Sequence, residues 1–182
     1  MRPSLYIIVA VSWLGWVTPF FLARRPGGEA RRRDRRARWG IALQAVAYSL
    51  LWQNRFWDRP LDRRRILVSV CFFVGASALS WTAARALGQQ WRLDAALNKD
   101  HELVTSGPYQ VVRHPIYSSM LCLLIGTGVM ITPWPMMAFS LALFIIGTEI
   151  RIRIEDRLLA GNFGDEFHRY RQRVWAYVPF LR

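Results

Sequence analysis

Nineteen consecutive residues without a charge, 4–22, run directly into Arg24 and Arg25. As an α-helix, a stretch of that length covers the hydrocarbon core of a bilayer. The pattern recurs along the chain. Residues 66–87, 116–131 and 136–150 are strongly apolar, and residues 41–57 form a weaker run interrupted by Gln44, Gln53, Asn54 and Arg55. Arginine-rich or polar stretches separate these runs. That segregation reconciles a 53% hydrophobic composition containing nine Trp with a formal net charge of +13. The arginines flank spans of membrane length, so they read as topology signals and lipid-headgroup contacts, not as nucleic-acid contacts. The expected fold is all-α: a polytopic membrane protein of about five transmembrane helices.

Residues 24–38 carry eight Arg, and the positive-inside rule makes this loop cytoplasmic. Five crossings then put 19 of the 25 Lys and Arg on the cytoplasmic side, with the N-terminus outside and the C-terminus inside. One feature opposes this: residues 58–65 hold four Arg and fall outside if residues 41–57 cross. The first run lacks an Ala-x-Ala-like cleavage site, so it reads as a retained span in a multi-pass plasma or inner membrane protein. Cys71 and Cys122 lie inside apolar runs, with no spacing that suggests a metal or a disulfide. Residues 1–87 form a three-span region and residues 88–182 a C-terminal core, together one structural unit.

The polar island at residues 103–117 lies between two apolar runs. Gly107-Pro108 marks a turn. Pro115 disfavours helical dihedrals at His114, so a helix should begin just after it. Its first amides would face the loop, where they could bind a ligand. Tyr109, Arg113, His114 and Tyr117 are thereby gathered at the mouth of a membrane helix. The connection at residues 88–114, 27 residues long, is long enough to suggest a role of its own.

Apolar residues 136–150 fade into a charged helix at residues 149–159, which Gly161-Asn162 should end. Arg151 and Glu155 share one face of it, and Glu149 and Arg153 share another. From spacing alone, each pair reads first as an ordinary salt bridge at the membrane surface. A final amphipathic helix is expected over residues 163–174, with Phe163, Phe167, Tyr170 and Val174 on one face. Trp175, Tyr177 and Phe180 then suggest an interfacial anchor. No Gly-rich nucleotide loop and no Gly-x-Ser-x-Gly occurs. His101, His114 and Glu155 lack a helical metal-ligand spacing, so no metal is assigned. From the residues alone, the chain is a membrane protein with one cytoplasm-facing polar site.

Three blocks carry a resemblance over residues 94–182. They are His101-Glu-Leu-Val-Thr-Ser-Gly-Pro-Tyr109, then Arg113-His-Pro-Ile-Tyr117, then Arg151-x-x-x-Glu155 followed by Phe163-Gly-Asp-Glu-Phe167. In this order and spacing they resemble the isoprenylcysteine carboxyl methyltransferases, integral-membrane enzymes that use S-adenosylmethionine. The resemblance implies a cytoplasmic cofactor site built from the loop before the fourth helix and the C-terminal helices. Its cofactor contacts fall on His101, Glu102, Leu103, Val104, Tyr109, His114, Pro115, Ile116, Tyr117 and Glu155. The substrate-facing arginine is Arg151, and Arg151 and Glu155 are the catalytic pair. The implied partners are membrane lipids and a lipophilic small-molecule or prenylated acceptor bearing a carboxylate. Two positions depart from the family pattern: Asp94 aligns with a cofactor-contacting glutamine, and Ser119 stands where glycine is usual. Two other readings remain, an NADPH-dependent sterol or enone reductase and a non-enzymatic membrane assembly factor.

Overall fold

The computed structural model describes residues 3–23, 32–34, 36–53, 62–88, 96–97 and 102–180. The elements are α1 (Pro3–Ala23), β1 (Arg32–Arg33), α2 (Ala37–Leu50), α3 (Arg63–Leu87), β2 (Ala96–Leu97), α4 (Pro115–Ile131), α5 (Trp134–Phe163) and α6 (Asp165–Arg173). A 3-10 turn over Gly107–Gln110 precedes α4. The fold is all-helical apart from one antiparallel pairing of Arg32 with Leu97 and Arg33 with Ala96. His101, Asp94, Trp57 and most of the arginine-rich stretch at 24–38 lie outside the described residues.

Three described helices are long and apolar enough to cross a membrane: Leu5–Ala23, Arg63–Leu87 and Trp134–Phe163. The chain is thus an integral membrane protein. At 17 residues, α4 falls just short of that length. The 14 residues of α2 rise about 21 Å, less than the roughly 30 Å hydrocarbon core. Both of its ends nevertheless make inter-helix contacts. Ala37 packs with Ile154 at one end, and Leu51 O accepts from Thr132 Oγ1 at the other.

Inter-helix contacts fix alternating directions. Val9 clusters with Phe73, and Trp81 Nε1 donates to Gly15 O, so α1 and α3 run parallel. Trp13 Nε1 reaches Thr127 Oγ1 and Trp16 Nε1 reaches Ser119 Oγ, so α4 runs the other way. α2 is antiparallel to α5, since Gln44 meets Thr148 and Ser140 meets Ala47. The C-terminal ends of α1 and α3, the N-terminal ends of α2 and α4 and the charged half of α5 therefore share one end. Arg63, Arg64 and Arg65 open α3 at the opposite end.

Ser119 explains one departure from the family pattern. It is fully buried; its Oγ donates to Ile116 O at 2.7 Å and accepts from Trp16 Nε1 at 3.0 Å. The hydroxyl ties α1 to the first turn of α4, which a glycine could not do. Ser119→Ala is expected to cost about 1 kcal/mol, read as a lower thermal midpoint in detergent. Because the loss acts through one bond, Trp16→Phe should then cost less in that background than in the wild type.

Two helix ends differ from expectation. α5 does not stop at Gly161-Asn162 but continues to Phe163. The stop is Gly164, whose φ of +51° lies in the left-handed region that side chains avoid. α6 accordingly starts at Asp165 and ends at Arg173, and among its residues Phe167 is the buried one.

Candidate active site

His114 is the residue immediately before α4, with φ −127° and ψ 61°. This is the non-helical conformation that a following proline enforces. Pro115 then opens the helix, where its missing N–H costs nothing. The first amides of α4 are less free than expected, because those of Tyr117 and Ser118 close back on His114 O at 3.0 and 3.3 Å.

This turn lies against residues 151–156 of α5. The His114 ring is held between two carboxylates: Nε2 is 2.9 Å from Asp156 Oδ1, and Nδ1 is 3.5 Å from Glu155 Oε2. Tyr117 OH donates to Glu155 Oε1 at 2.5 Å. Arg151 Nη2 reaches the same oxygen at 3.3 Å, and its guanidinium lies 5.3 Å over the Tyr117 ring. Glu155 is therefore the hub that joins the second and third sequence blocks. Its side chain stays 22% exposed, whereas that of Asp156 is 5% exposed, so Glu155 is the carboxylate a ligand can reach. The second i,i+4 pair, Arg153 with Glu149, spans 3.6 Å, and its arginine faces outward.

Asp156 carries no signal of its own in the sequence. It accepts from His114, pairs with Arg113 Nη2 at 3.4 Å, and lies 3.9 Å from Arg171 Nε. Arg113 is buried and also donates through Nη1 to Arg171 O at 3.2 Å and to Val174 O. The backbone amides of Arg113 and His114 donate to Trp175 O and Ala176 O at 2.7 and 2.8 Å. This forms a short parallel bridge between Val112 and Trp175. Ser118 Oγ donates to Tyr177 O. Residues 174–177 are thus a strap across the start of α4. The expected interfacial anchor is accordingly divided: Tyr177 is buried against Tyr117 and Ile152, while Trp175 and Phe180 are exposed and pack on each other at 5.7 Å.

Tyr109 is buried in the 3-10 turn, and its carbonyl accepts from Tyr170 OH at 2.6 Å. Burial, then Tyr170 and the Glu155 carboxylate, push its hydroxyl well above the ordinary range, so it stays protonated beside Glu155. Pro115 is buried at the helix start, and Ile116 is half-buried. Glu102 is exposed, and Leu103 and Val104 are half-buried in irregular chain before the turn. The assembled set is therefore Tyr109, His114, Tyr117, Arg151 and Glu155, supported by Arg113, Asp156 and the strap. Of the two supporting side chains, Arg113 belongs to the motif read from the sequence, whereas the signal for Asp156 is only that it follows Glu155.

Burial alone would lower the His114 pKa, but the hydrogen bonds and charges of Asp156 and Glu155 outweigh it and raise it. A raised folded-state pKa contributes stability that is fully present below the unfolded value of about 6.5 and is lost as pH rises through the folded value. The thermal midpoint is therefore expected to fall on going alkaline of pH ~6.5, and His114→Gln should flatten that fall. An unchanged slope in the variant would remove His114 as its source.

The chemistry of this set suits a cationic group. It offers one partly exposed carboxylate, backed by two buried tyrosines and a buried imidazole. A buried guanidinium one turn away suits a carboxylate.

Residues 68–161 match the model of the isoprenylcysteine carboxyl methyltransferase (ICMT) family. The protein-S-isoprenylcysteine O-methyltransferase B of Arabidopsis thaliana is 42% identical over 82 residues, which are 44% of this chain and 41% of the plant protein. The protein-S-isoprenylcysteine O-methyltransferase of Tribolium castaneum is 32% identical over 117 residues, 63% of this chain and 41% of the insect protein. The cobalt-zinc-cadmium resistance protein CzcN of Cupriavidus metallidurans is 31% identical over 151 residues, 82% of this chain and 65% of that protein. The matched stretch thus spans less than two thirds of each of these three relatives.

Proposed function

Because the chain belongs to the isoprenylcysteine carboxyl methyltransferase family, we propose that its polar corner binds S-adenosylmethionine and methylates a carboxylate on a lipophilic, isoprenoid-like acceptor. The observation that carries this reading is Glu155, partly exposed and shared by Tyr117, Arg151 and His114. The cofactor supplies an electrophilic methyl group on a sulfonium. Glu155, with Tyr109, Tyr117 and His114 around it, holds the cationic donor. His101, Glu102, Leu103, Val104, Pro115 and Ile116 complete the cofactor contacts. Arg151 grips the acceptor carboxylate in two parallel bonds. A carboxylate is already ionised at neutral pH, so the residues need no general base. They align donor and acceptor and exclude water. The acceptor tail lies in the bilayer, and the cofactor enters from the arginine-rich end. That end is taken as cytoplasmic, with the N-terminus outside and five crossings. Residues 1–87 brace the core at residues 88–182.

The reading predicts saturable binding of S-adenosylhomocysteine to the detergent-solubilised protein by isothermal titration. Glu155→Ala and His114→Ala should each weaken it by at least about tenfold, the loss of one charge-assisted hydrogen bond. Binding unchanged in both variants would move the cofactor elsewhere, and binding of NADPH in its place would favour the reductase reading.

A further inference from the structure

The stem of Arg151 packs against a residue outside the family-matched segment. α2 buries Ala37, Gly40, Gln44 and Ala47 against α5, at alternating three- and four-residue steps. Gln44 Nε2 donates to Thr148 Oγ1 at 2.8 Å, which fixes the register of the two helices. At that register, Gly40 lies under the stem of Arg151. A Cβ on Gly40 would stand 2.5 Å from Arg151 Cγ, 3.3 Å from Arg151 Cδ and 2.6 Å from Gly147 O. A Cβ on Gly147 would stand 2.7 Å from Gly40 O, near Leu43 and Gln44, with no Arg151 atom among its nearest neighbours. The two glycines thus make the same backbone approach, but of the two it is Gly40 that packs on the arginine. The other end of Arg151 is defined by the Tyr117 ring and Glu155.

We infer that Gly40 is a positioning residue for the acceptor-carboxylate grip: its bare Cα is the wall that directs the Arg151 stem toward Tyr117 and Glu155. The inference rests on the proposed role of Arg151. Helix propensity alone would favour alanine at this position by about 1 kcal/mol, so any loss in Gly40→Ala comes from the steric term. A displacement of about 1 Å at a positioning group is enough to cost up to about 100-fold in rate.

The test uses the full-length protein in detergent with N-acetyl-S-farnesylcysteine as methyl acceptor. Gly40→Ala is expected to raise the acceptor KM or lower kcat/KM by about 10- to 100-fold, while S-adenosylhomocysteine binding holds within about threefold. Gly147→Ala, with the matched backbone clash, should leave acceptor kcat/KM within about threefold of wild type. In an Arg151→Ala background, Gly40→Ala should add no further loss, because the residue through which it acts is gone. Full additivity in that cycle, or equal acceptor losses in the two glycine variants, would overturn the inference. If the wild type does not turn over this acceptor, the proposed function fails, and the structure of Gly40→Ala decides the positioning claim. Arg151 displaced from Glu155 supports it; Arg151 still at 3.3 Å overturns it.

Discussion

Asp156→Ala is expected to lower unfolding free energy by about 3–5 kcal/mol, the largest loss of stability predicted for a single substitution in this chain. The carboxylate is buried, and both His114 and the Arg113 guanidinium hydrogen-bond to it, with Arg171 nearby. Removing it leaves positive charges in a low-dielectric setting, which costs more than the bonds themselves contribute. In a chain of this size the loss corresponds to a fall in thermal midpoint of roughly 6–20 °C. Asp156→Asn keeps an acceptor for His114 and should fall by less. Near-wild-type melting of Asp156→Ala would mean that this cluster does not hold α4, α5 and α6 together.

The largest expected effect on catalysis is at Arg151. A bidentate guanidinium–carboxylate grip makes two charge-assisted hydrogen bonds of about 1.5–3 kcal/mol each. Arg151→Ala should therefore reduce acceptor kcat/KM by roughly 10²–10⁴-fold. Arg151→Lys keeps the charge but loses the fork and should recover only part of the loss. Titration with S-adenosylhomocysteine separates the roles. Retained cofactor affinity supports an acceptor-side residue, whereas a parallel loss of that affinity would reassign Arg151 to the cofactor.

The helical framework was largely legible because its signals are local. Uncharged runs of membrane length mark α1 and α3, a shorter uncharged run marks the first half of α5, and Pro115 marks the start of α4. The partnership of Arg151 with Glu155 follows from a four-residue helical step. Other features depend on distant residues, and no local pattern predicts them. Asp156 looks like one more charge on a charged helix, yet its partners arrive from residues 113, 114 and 171. Ser119 looks like a departure from the family until Trp16 supplies its hydrogen-bond partner. Tyr177 reads as a membrane-interface aromatic because its spacing to Trp175 and Phe180 is the same whether it faces lipid or, as here, Tyr117. The end of α5 shows the same limit. A glycine in sequence signals a stop, but no local pattern distinguishes Gly161 from Gly164, and it is Gly164 that takes the positive φ.

The strap over α4 also bears on how the protein is made. Arg113 closes on Val174 across 61 residues. At ribosomal speeds of about 5–20 residues per second, that interval lasts roughly 3–12 seconds. During it, Arg113 and His114 have been synthesised but lack the carbonyls that hold them, and the helices behind them can already be packing. The corner that gathers Glu155 and His114 is therefore completed late in synthesis.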